Sequence, residues 1–223
     1  MENLDLNLPA LREFTLFAGM DDETLCAALR ALRAESAAFR RGALVHAPGM
    51  PMERFGLVIS GMVQVCVDDI EGNRMIMAEV VPGVSFGESL CFLGVRESPV
   101  YVSAAEDSRI LWLSTEVLSS AEPDAFLADL HRRFTAVLAA KNLSMNNRVQ
   151  VLSKLSLRAK LTAYFTELAA AQGSGVIRLP MNREDMAAYI GANRSALSRE
   201  LARMKKEGLI DYRRETVKIM NNE

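Results

Sequence analysis

The sequence has only three cysteines and two histidines, and it contains no long uninterrupted run of apolar residues. Three dispersed cysteines, an odd number, predict free thiols in a reducing compartment and argue against a disulfide framework: Cys26, Cys66 and Cys91. Because no run reaches about 18 apolar residues and the first five residues include two acids and no base, we expect neither a membrane span nor a secretory signal. These absences predict a cytoplasmic protein that makes no membrane contact.

The usual signatures of an enzyme are also missing. The sequence has no glycine-rich phosphate loop, no His-Glu metal pair and no nucleophile motif, and its glycines stand at predicted turns. We therefore expect a protein that is not an enzyme and that carries no cofactor and no metal.

What the chain does have is an uneven distribution of charge. A length of 223 residues suits one large or two small domains, and half of the residues are hydrophobic, which is enough to form their cores. The formal net charge is −2, but 14 Lys and Arg stand against 8 Asp and Glu from Arg148 onward, a charge of +6, which leaves −8 on the residues before it. A basic C-terminal third on an acidic body is typical of a nucleic-acid reader joined to a regulatory domain.

The basic third contains the pattern of a helix-turn-helix. Asn182 is placed to cap a first helix that ends near residue 190, and Gly191 suits the positive φ of a tight turn. Asn193 is placed to cap a second helix with one apolar stripe, made of Leu197, Leu201 and Met204. The polar residues of its first half therefore point away from the core: Arg194, Ser195, Ser198 and Arg199.

A predicted wing follows these two helices. Gly208 ends the second helix, and residues 209–212 and 216–220 have the pattern of two short strands around a turn. An ordinary helical hairpin with solvated arginines is the alternative, but it does not account for the strands. In winged helix-turn-helix proteins the first half of the second helix enters the major groove, where Arg pairs with a guanine edge and Ser bonds several bases.

The residues before the basic third change character twice. Residues 8–32 have helical spacing, with three acidic residues at 21–23 in a first turn. From Phe39 to Leu113 short apolar runs alternate with glycine turns, including a hairpin turn over residues 69–73, which predicts an all-β barrel or roll. A long helix is predicted next, from Pro123 to Leu152, and its apolar stripe predicts a partner: Phe126, Leu130, Phe134, Val137 and Leu138.

Three segments of the β region carry a resemblance to a known family: Phe39-Arg40-Arg41-Gly42, residues 55–63 and residues 81–88. Together with the order of roll, long helix and winged helix-turn-helix, they resemble the Crp/Fnr family of transcription regulators over nearly the whole chain. The resemblance implies an α+β fold with a cyclic-nucleotide-binding-like β-roll sensor domain over residues 1–118. The resemblance also implies a dimerisation helix with a hinge over residues 119–152, followed by a winged helix-turn-helix domain over residues 153–223. We place the hinge at residues 147–153, where polar residues dilute the stripe.

The same resemblance implies partners. A two-fold dimer places two recognition helices about one DNA turn apart on a palindromic double-stranded operator, and RNA polymerase is the implied protein partner. Arg199 stands where the family's Arg reads a guanine, and Ser198 matches the serine of the oxygen-sensing members. Two positions depart from the family: Ser195 stands where a Glu is usual, and Glu200 stands where an apolar residue is commoner. The predicted DNA-binding residues are Arg183, Asn193, Arg194, Ser195, Ser198 and Arg199.

Family members that bind cyclic AMP hold its phosphate with an Arg-Ser or Arg-Thr pair just before an alternating strand. Ser98 and Pro99 occupy those two positions here, so we expect no response to cyclic AMP; the alternative is that Arg96, two residues early, replaces the missing arginine. Three dispersed cysteines cannot hold a four-iron cluster. His46 and His131 are expected to be structural or exposed, not haem ligands.

A sensor pocket without the phosphate clamp favours a mainly apolar or aromatic effector, which is similar to the branch of the family that senses halogenated phenols. Glu88 resembles the acid that meets the ribose in the cyclic-nucleotide branch. A further alternative is that these residues only pack the roll and that the regulator has no ligand. The predicted effector-binding residues are Phe86, Gly87, Glu88, Leu90, Cys91 and Tyr101.

Overall fold

The computed structural model describes residues 8–68, 74–119, 124–179, 182–213 and 215–220. The chain divides into two units, Met1–Ala140 and Lys141–Glu223, and the division falls within one long helix. Each unit has a hydrophobic core of its own.

The first unit is built around antiparallel strands, which confirms the predicted β region. Its described strands are β1 (Glu35–Phe39), β2 (Leu44–His46), β3 (Phe55–Ser60), β4 (Val63–Asp68), β5 (Arg74–Val80), β6 (Ser85–Phe86), β7 (Tyr101–Ala104) and β8 (Ser108–Leu113). They form two four-stranded sheets, with the orders β1-β8-β3-β6 and β2-β7-β4-β5. β4 and β5 pair directly, and the hairpin turn predicted between them lies outside the described residues.

The core of the roll combines residues from both sheets. Val58 and Ile110 come from the first sheet, Val63 and Val102 from the second, and all four are fully buried in one cluster. Since side chains alternate along a strand, the neighbours of Val58 and Ile110 lie on the other face of the first sheet. There Phe55, Leu57, Leu111 and Leu113 belong to a second cluster. The first sheet is therefore buried on both faces.

The helices of the first unit cover that second face. The helical spacing over residues 8–32 corresponds to two helices, α1 (Leu8–Leu11) and α2 (Asp22–Ala31), and the predicted acidic first turn is confirmed as the start of α2. Turns over residues 12–19, which end at Gly19 with φ +71°, separate the two helices, and α2 starts where Asp21 accepts a hydrogen bond from the Thr24 amide at 2.8 Å. A short helix, α3 (Glu88–Phe92), follows β6.

The long helix, α4, spans Ala125–Leu152. Its predicted start at Pro123 lies outside the described residues, and Asp124 caps the helix by accepting from the Leu127 amide at 2.8 Å. Leu130 and Phe134 are fully buried in the core beneath the first sheet, where the rest of the predicted stripe also packs. The expectation that this stripe awaits a partner is therefore wrong, because the chain's own core already covers it. Another face of α4 exposes small residues and one leucine: Ala136, Ala139, Ala140 and Leu143.

The second unit begins with the last turns of α4 and contains the predicted helix-turn-helix and wing. Its further elements are α5 (Leu157–Gln172), β9 (Val176–Arg178), α6 (Arg183–Tyr189), α7 (Arg194–Lys206), β10 (Ile210–Arg213) and β11 (Thr216–Ile219). The strands form one antiparallel sheet with the order β10-β11-β9. All three helices contribute to a single core, which includes Leu161, Phe165, Met186, Leu197 and Leu201.

The predicted hinge at residues 147–153 is better packed than its polar sequence suggests. The Asn147 amide donates to the Glu167 carboxylate at 2.8 Å, the Arg148 guanidinium lies 5.2 Å from the Tyr189 ring centroid, and Val151 is buried. The hinge remains a prediction, and its residues contact the same unit that carries the helix-turn-helix.

Candidate functional site

Local hydrogen bonds shape the helix-turn-helix as its sequence predicts. The Asn182 side chain accepts from the amides of Glu184 and Asp185 at 2.8 and 3.0 Å and starts α6. Gly191 has φ +65° in the turn, and the Asn193 side chain accepts from the Ala196 amide at 2.8 Å to start α7. These caps and this turn are confirmed.

The second helix, α7, has one buried side and one exposed side. Leu197, Leu201 and Met204 are buried in the core of the second unit. The predicted base-reading residues lie on the exposed side and form what we call the polar row: Arg194, Ser195, Ser198 and Arg199. Arg199 has no ion-pair partner among the residues that the structure describes, so its guanidinium is available to an outside ligand.

Arg183 and Asn193, the other two predicted DNA-binding residues, have contacts within the unit. Arg183 begins α6, and its guanidinium lies 4.6 Å from the centroid of the Tyr212 ring on β10. Asn193 holds the first turn of α7 and also accepts a hydrogen bond from the Ser195 hydroxyl at 2.9 Å. Their contacts with DNA remain predictions beside these structural roles.

Two basic residues near the start of α5 were not found from the sequence. Arg158 donates from Nε to Glu200 at 2.6 Å and from Nη1 and Nη2 to Glu207 at 2.5 and 3.0 Å. Lys160 donates to the Ile190 carbonyl oxygen at 3.1 Å, next to the turn. The hydrogen bond from Arg158 lowers the pKa of the Glu207 carboxyl and keeps it ionised. The sequence signal for this network was Glu200, an acid where an apolar residue is commoner.

In the sensor unit, part of the predicted effector set follows one stretch of chain from β6 into α3. Phe86 is buried in the roll core, 5.5 Å from the Trp112 ring centroid and edge-on to it, and Leu90 packs against the same core. Gly87 has φ +81°, and a Cβ there would lie 1.9 Å from the Met52 sulfur. Glu88 follows and is buried. Phe86, Gly87 and Leu90 therefore border the roll core, and Glu88 is adjacent to them in the chain.

Cys91 and Tyr101 have different surroundings. Cys91 belongs to the core beneath the first sheet and donates from its thiol to the Glu53 carbonyl oxygen at 3.2 Å, beside an open cavity of about 470 Å³. The Tyr101 hydroxyl donates to Asp68 at 2.9 Å, and Val102, the next residue, points into the roll core. Because successive strand residues point to opposite faces, Tyr101 faces away from that core.

The two positions of the missing phosphate clamp are occupied by local structure. Ser98 is buried, and its hydroxyl donates to the Val100 carbonyl oxygen at 2.7 Å. Pro99 has no amide hydrogen to donate. Arg96 is exposed.

Metal and haem ligands are scarce in the described part of the chain. No three or more of its His, Cys, Asp and Glu side chains are grouped so that they could hold a metal ion. Burial lowers the pKa of His46, and His131 is exposed with its ring 6.3 Å from that of Phe92. No helix within the described ranges is long and apolar enough to cross a membrane.

Comparisons with known proteins match both units. The cyclic nucleotide-binding domain profile matches residues 37–121, and the profile of the Crp-like helix-turn-helix domain matches residues 159–223. The chain is 27% identical over 182 residues to the transcriptional regulator SdrP of Thermus thermophilus, covering 79% of this chain and 85% of that one. It is 24% identical over 214 residues, 93% of each chain, to a cAMP-activated global transcriptional regulator of Mycobacterium tuberculosis.

The fold is shared with solved regulators. The c-di-GMP-responsive global regulator CLP of Xanthomonas campestris superposes with a TM-score of 0.61 at 19% identity, over 91% of this chain and 100% of that one. A cyclic-nucleotide-binding roll followed by a winged helix-turn-helix defines a DNA-binding transcription regulator, not an enzyme. This chain belongs to the Crp/Fnr family of transcription regulators.

Proposed function

We propose that this regulator acts as a homodimer whose α7 helices read a palindromic operator, under the control of a small effector in the β-roll. The polar row on α7 is the observation that carries the proposal. Arg194, Ser195, Ser198 and Arg199 are exposed at the N-terminal half of a helix whose opposite side is buried. A rigid helix with a polar N-terminal half is suited to the major groove.

The dimer contact proposed here lies on α4. Leu143 is 63% exposed, and it continues the exposed face of Ala136, Ala139 and Ala140. Small side chains allow two helices to approach closely. We retain residues 1–118, 119–152 and 153–223 as the proposed sensor, dimerisation and DNA-binding parts, with RNA polymerase as a proposed protein partner.

Selection from a pool of random DNA duplexes tests the DNA-reading function. The full-length protein is expected to enrich a palindrome with half-sites about 10 base pairs apart, and its affinity should fall steeply with salt because phosphate contacts release counterions. A half-site containing a guanine read by Arg199 is expected, whereas Ser195 permits several bases at its position. Failure to enrich any sequence, at any salt concentration, would contradict the proposal.

The proposed effector is a small, mainly aromatic molecule that is not cyclic AMP. Two features at the clamp positions support this: the Ser98 hydroxyl is already bonded to the Val100 carbonyl, and Pro99 offers no donor. We propose that the effector contacts four residues: Phe86, Gly87, Glu88 and Leu90. Cys91 and Tyr101 remain predicted effector contacts, although in the structure Cys91 bonds to the Glu53 carbonyl and Tyr101 to Asp68. The burial of Phe86 also supports the ligand-free alternative.

A cyclic-nucleotide response through Arg96 is the second candidate. The match to the cyclic nucleotide-binding profile and the similarity to the cAMP-activated mycobacterial regulator favour it. Because Arg96 is exposed, this candidate requires its loop to move inward to reach a phosphate.

Melting temperatures of the purified dimer distinguish these candidates. A ligand at a hundred times its dissociation constant stabilises the native state by about 2.7 kcal/mol, which raises the melting temperature by several degrees. We expect a rise with a member of a panel of chlorinated phenols and aromatic acids, and none with cyclic AMP. Glu88→Ala should reduce that rise, and Glu88→Gln serves as the variant of matched size.

A rise with cyclic AMP that Arg96→Ala removes would support the second candidate instead. No rise with any compound would support a regulator that has no ligand.

A further inference from the structure

We propose that Arg158 is a positioning residue for DNA recognition, which fixes the rotation of α7 about its axis and so keeps the polar row facing outward. The inference rests on the proposed reading of DNA by α7. It concerns a residue that belongs to another helix and lies outside the polar row.

The guanidinium of Arg158 holds α7 at two levels. Its Nε donates to Glu200 at 2.6 Å, while Nη1 and Nη2 bind both oxygens of Glu207, just past the last residue of α7, at 2.5 and 3.0 Å. Glu207 comes seven positions after Glu200, which corresponds to about two turns and about 10 Å along the helix axis. Because one planar group makes all three bonds, α7 cannot rotate without breaking contacts at both levels.

The position of Glu200 in the sequence couples this contact to the polar row. Glu200 directly follows Arg199, and consecutive side chains leave a helix about 100° apart. When Glu200 is turned toward α5, Arg199 is kept on the exposed side. The apolar contacts of Leu197 and Leu201 set which side of α7 is buried, but they are less directional than hydrogen bonds, so the bonds of Arg158 fix the rotation of α7 more closely.

The ion pair between Arg158 and Glu200 affects the orientation of α7 because both side chains are partly buried. The Glu200 side chain is only 17% exposed, and that of Arg158 is 34% exposed. A partly buried carboxylate that loses its cation is poorly solvated and favours turning toward water. Rotation of Glu200 outward would carry Arg199 with it. Loss of Arg158 is therefore expected to disturb base reading without removing a DNA contact.

Arg158→Met tests the proposal in the full-length protein. The probes are the duplex that the wild-type protein selects from a random pool and a scrambled duplex of equal length. We expect about tenfold weaker binding to the selected duplex, unchanged binding to the scrambled one, and an unchanged dependence of affinity on salt. The double variant Arg158→Met, Glu200→Met is expected to recover most of the loss, because no partly buried acid is left without its cation. Arg40→Met, which removes an exposed ion pair with Asp107, is the control and should bind as the wild type does.

Two other outcomes for the folded variant overturn the proposal. If folded Arg158→Met discriminates between the two duplexes as the wild type does, Arg158 only stabilises the unit. Equal losses on both duplexes with a weaker salt dependence would make Arg158 a phosphate contact. If Arg158→Met does not fold, Arg158→Lys decides the matter, since a lysine cannot bind both acids in this geometry and should also lose discrimination.

The same experiment separates this inference from the function on which it depends. A wild-type protein that selects no sequence would contradict the proposed DNA-reading function and the inference together. Selection by the wild type with undiminished discrimination by Arg158→Met would contradict the inference alone.

Discussion

Replacement of Arg199 by alanine is expected to weaken operator binding by about 1–3 kcal/mol and to relax the sequence preference at one base step in each half-site. The guanidinium is exposed in the first half of α7 and has no ion-pair partner among the described residues, so it can make two parallel hydrogen bonds to a guanine edge. The measurement is a titration of the selected operator and of operators with each other base at that step.

Arg203 supplies the matched control on the same helix. It is also exposed, but its Nε already donates to Glu207 at 3.1 Å, and it lies one turn farther from the start of α7. Arg203→Ala should change affinity for all duplexes by a similar, small amount. If Arg199→Ala instead weakens every duplex equally, with a salt slope reduced by about one, Arg199 contacts a phosphate and does not read a base.

Replacement of Phe134 by alanine is expected to lower the free energy of unfolding of the sensor unit by about 3–5 kcal/mol. Phe134 is 1% exposed, and its ring centroid lies 5.5 Å from those of both Phe55 and Phe92. The substitution therefore opens a cavity between α4, the first sheet and α3. Denaturant unfolding of the full-length protein, followed at several protein concentrations, measures the loss.

Leu143 provides the contrasting variant on the same helix. It is 63% exposed, so Leu143→Glu should leave the helix content of the chain unchanged. At the proposed dimer contact the new charge would be buried without a partner, and we expect the dimer to weaken by about tenfold or more in sedimentation experiments. If Phe134→Ala weakens the dimer and leaves the sensor unit as stable as before, the stripe around Phe134 faces a partner after all.

Local features of the chain were predicted well because they depend on residues a few positions apart. Asn182 and Asn193 cap their helices through amides two or three residues away, and Gly191 takes the positive φ that its turn requires. The strands of the wing and of the roll likewise follow from alternation and turn residues. The same local rules were less exact between residues 8 and 32, where they gave the start of α2 but not the turns over residues 12–19 that separate it from α1.

The sequence by itself thus determined the class of fold, the order of its parts and the exposed polar row of α7. Only the tertiary structure decided which groups meet: Phe134 packs inside its own chain, Cys91 and Phe86 lie in different cores, and Arg158 joins two acids that follow it by 42 and 49 residues. Periodicity identifies which face of a helix is apolar, but it does not identify what covers that face. That choice depends on contacts between residues distant in sequence, whose free energies are set by packing and burial in the folded chain.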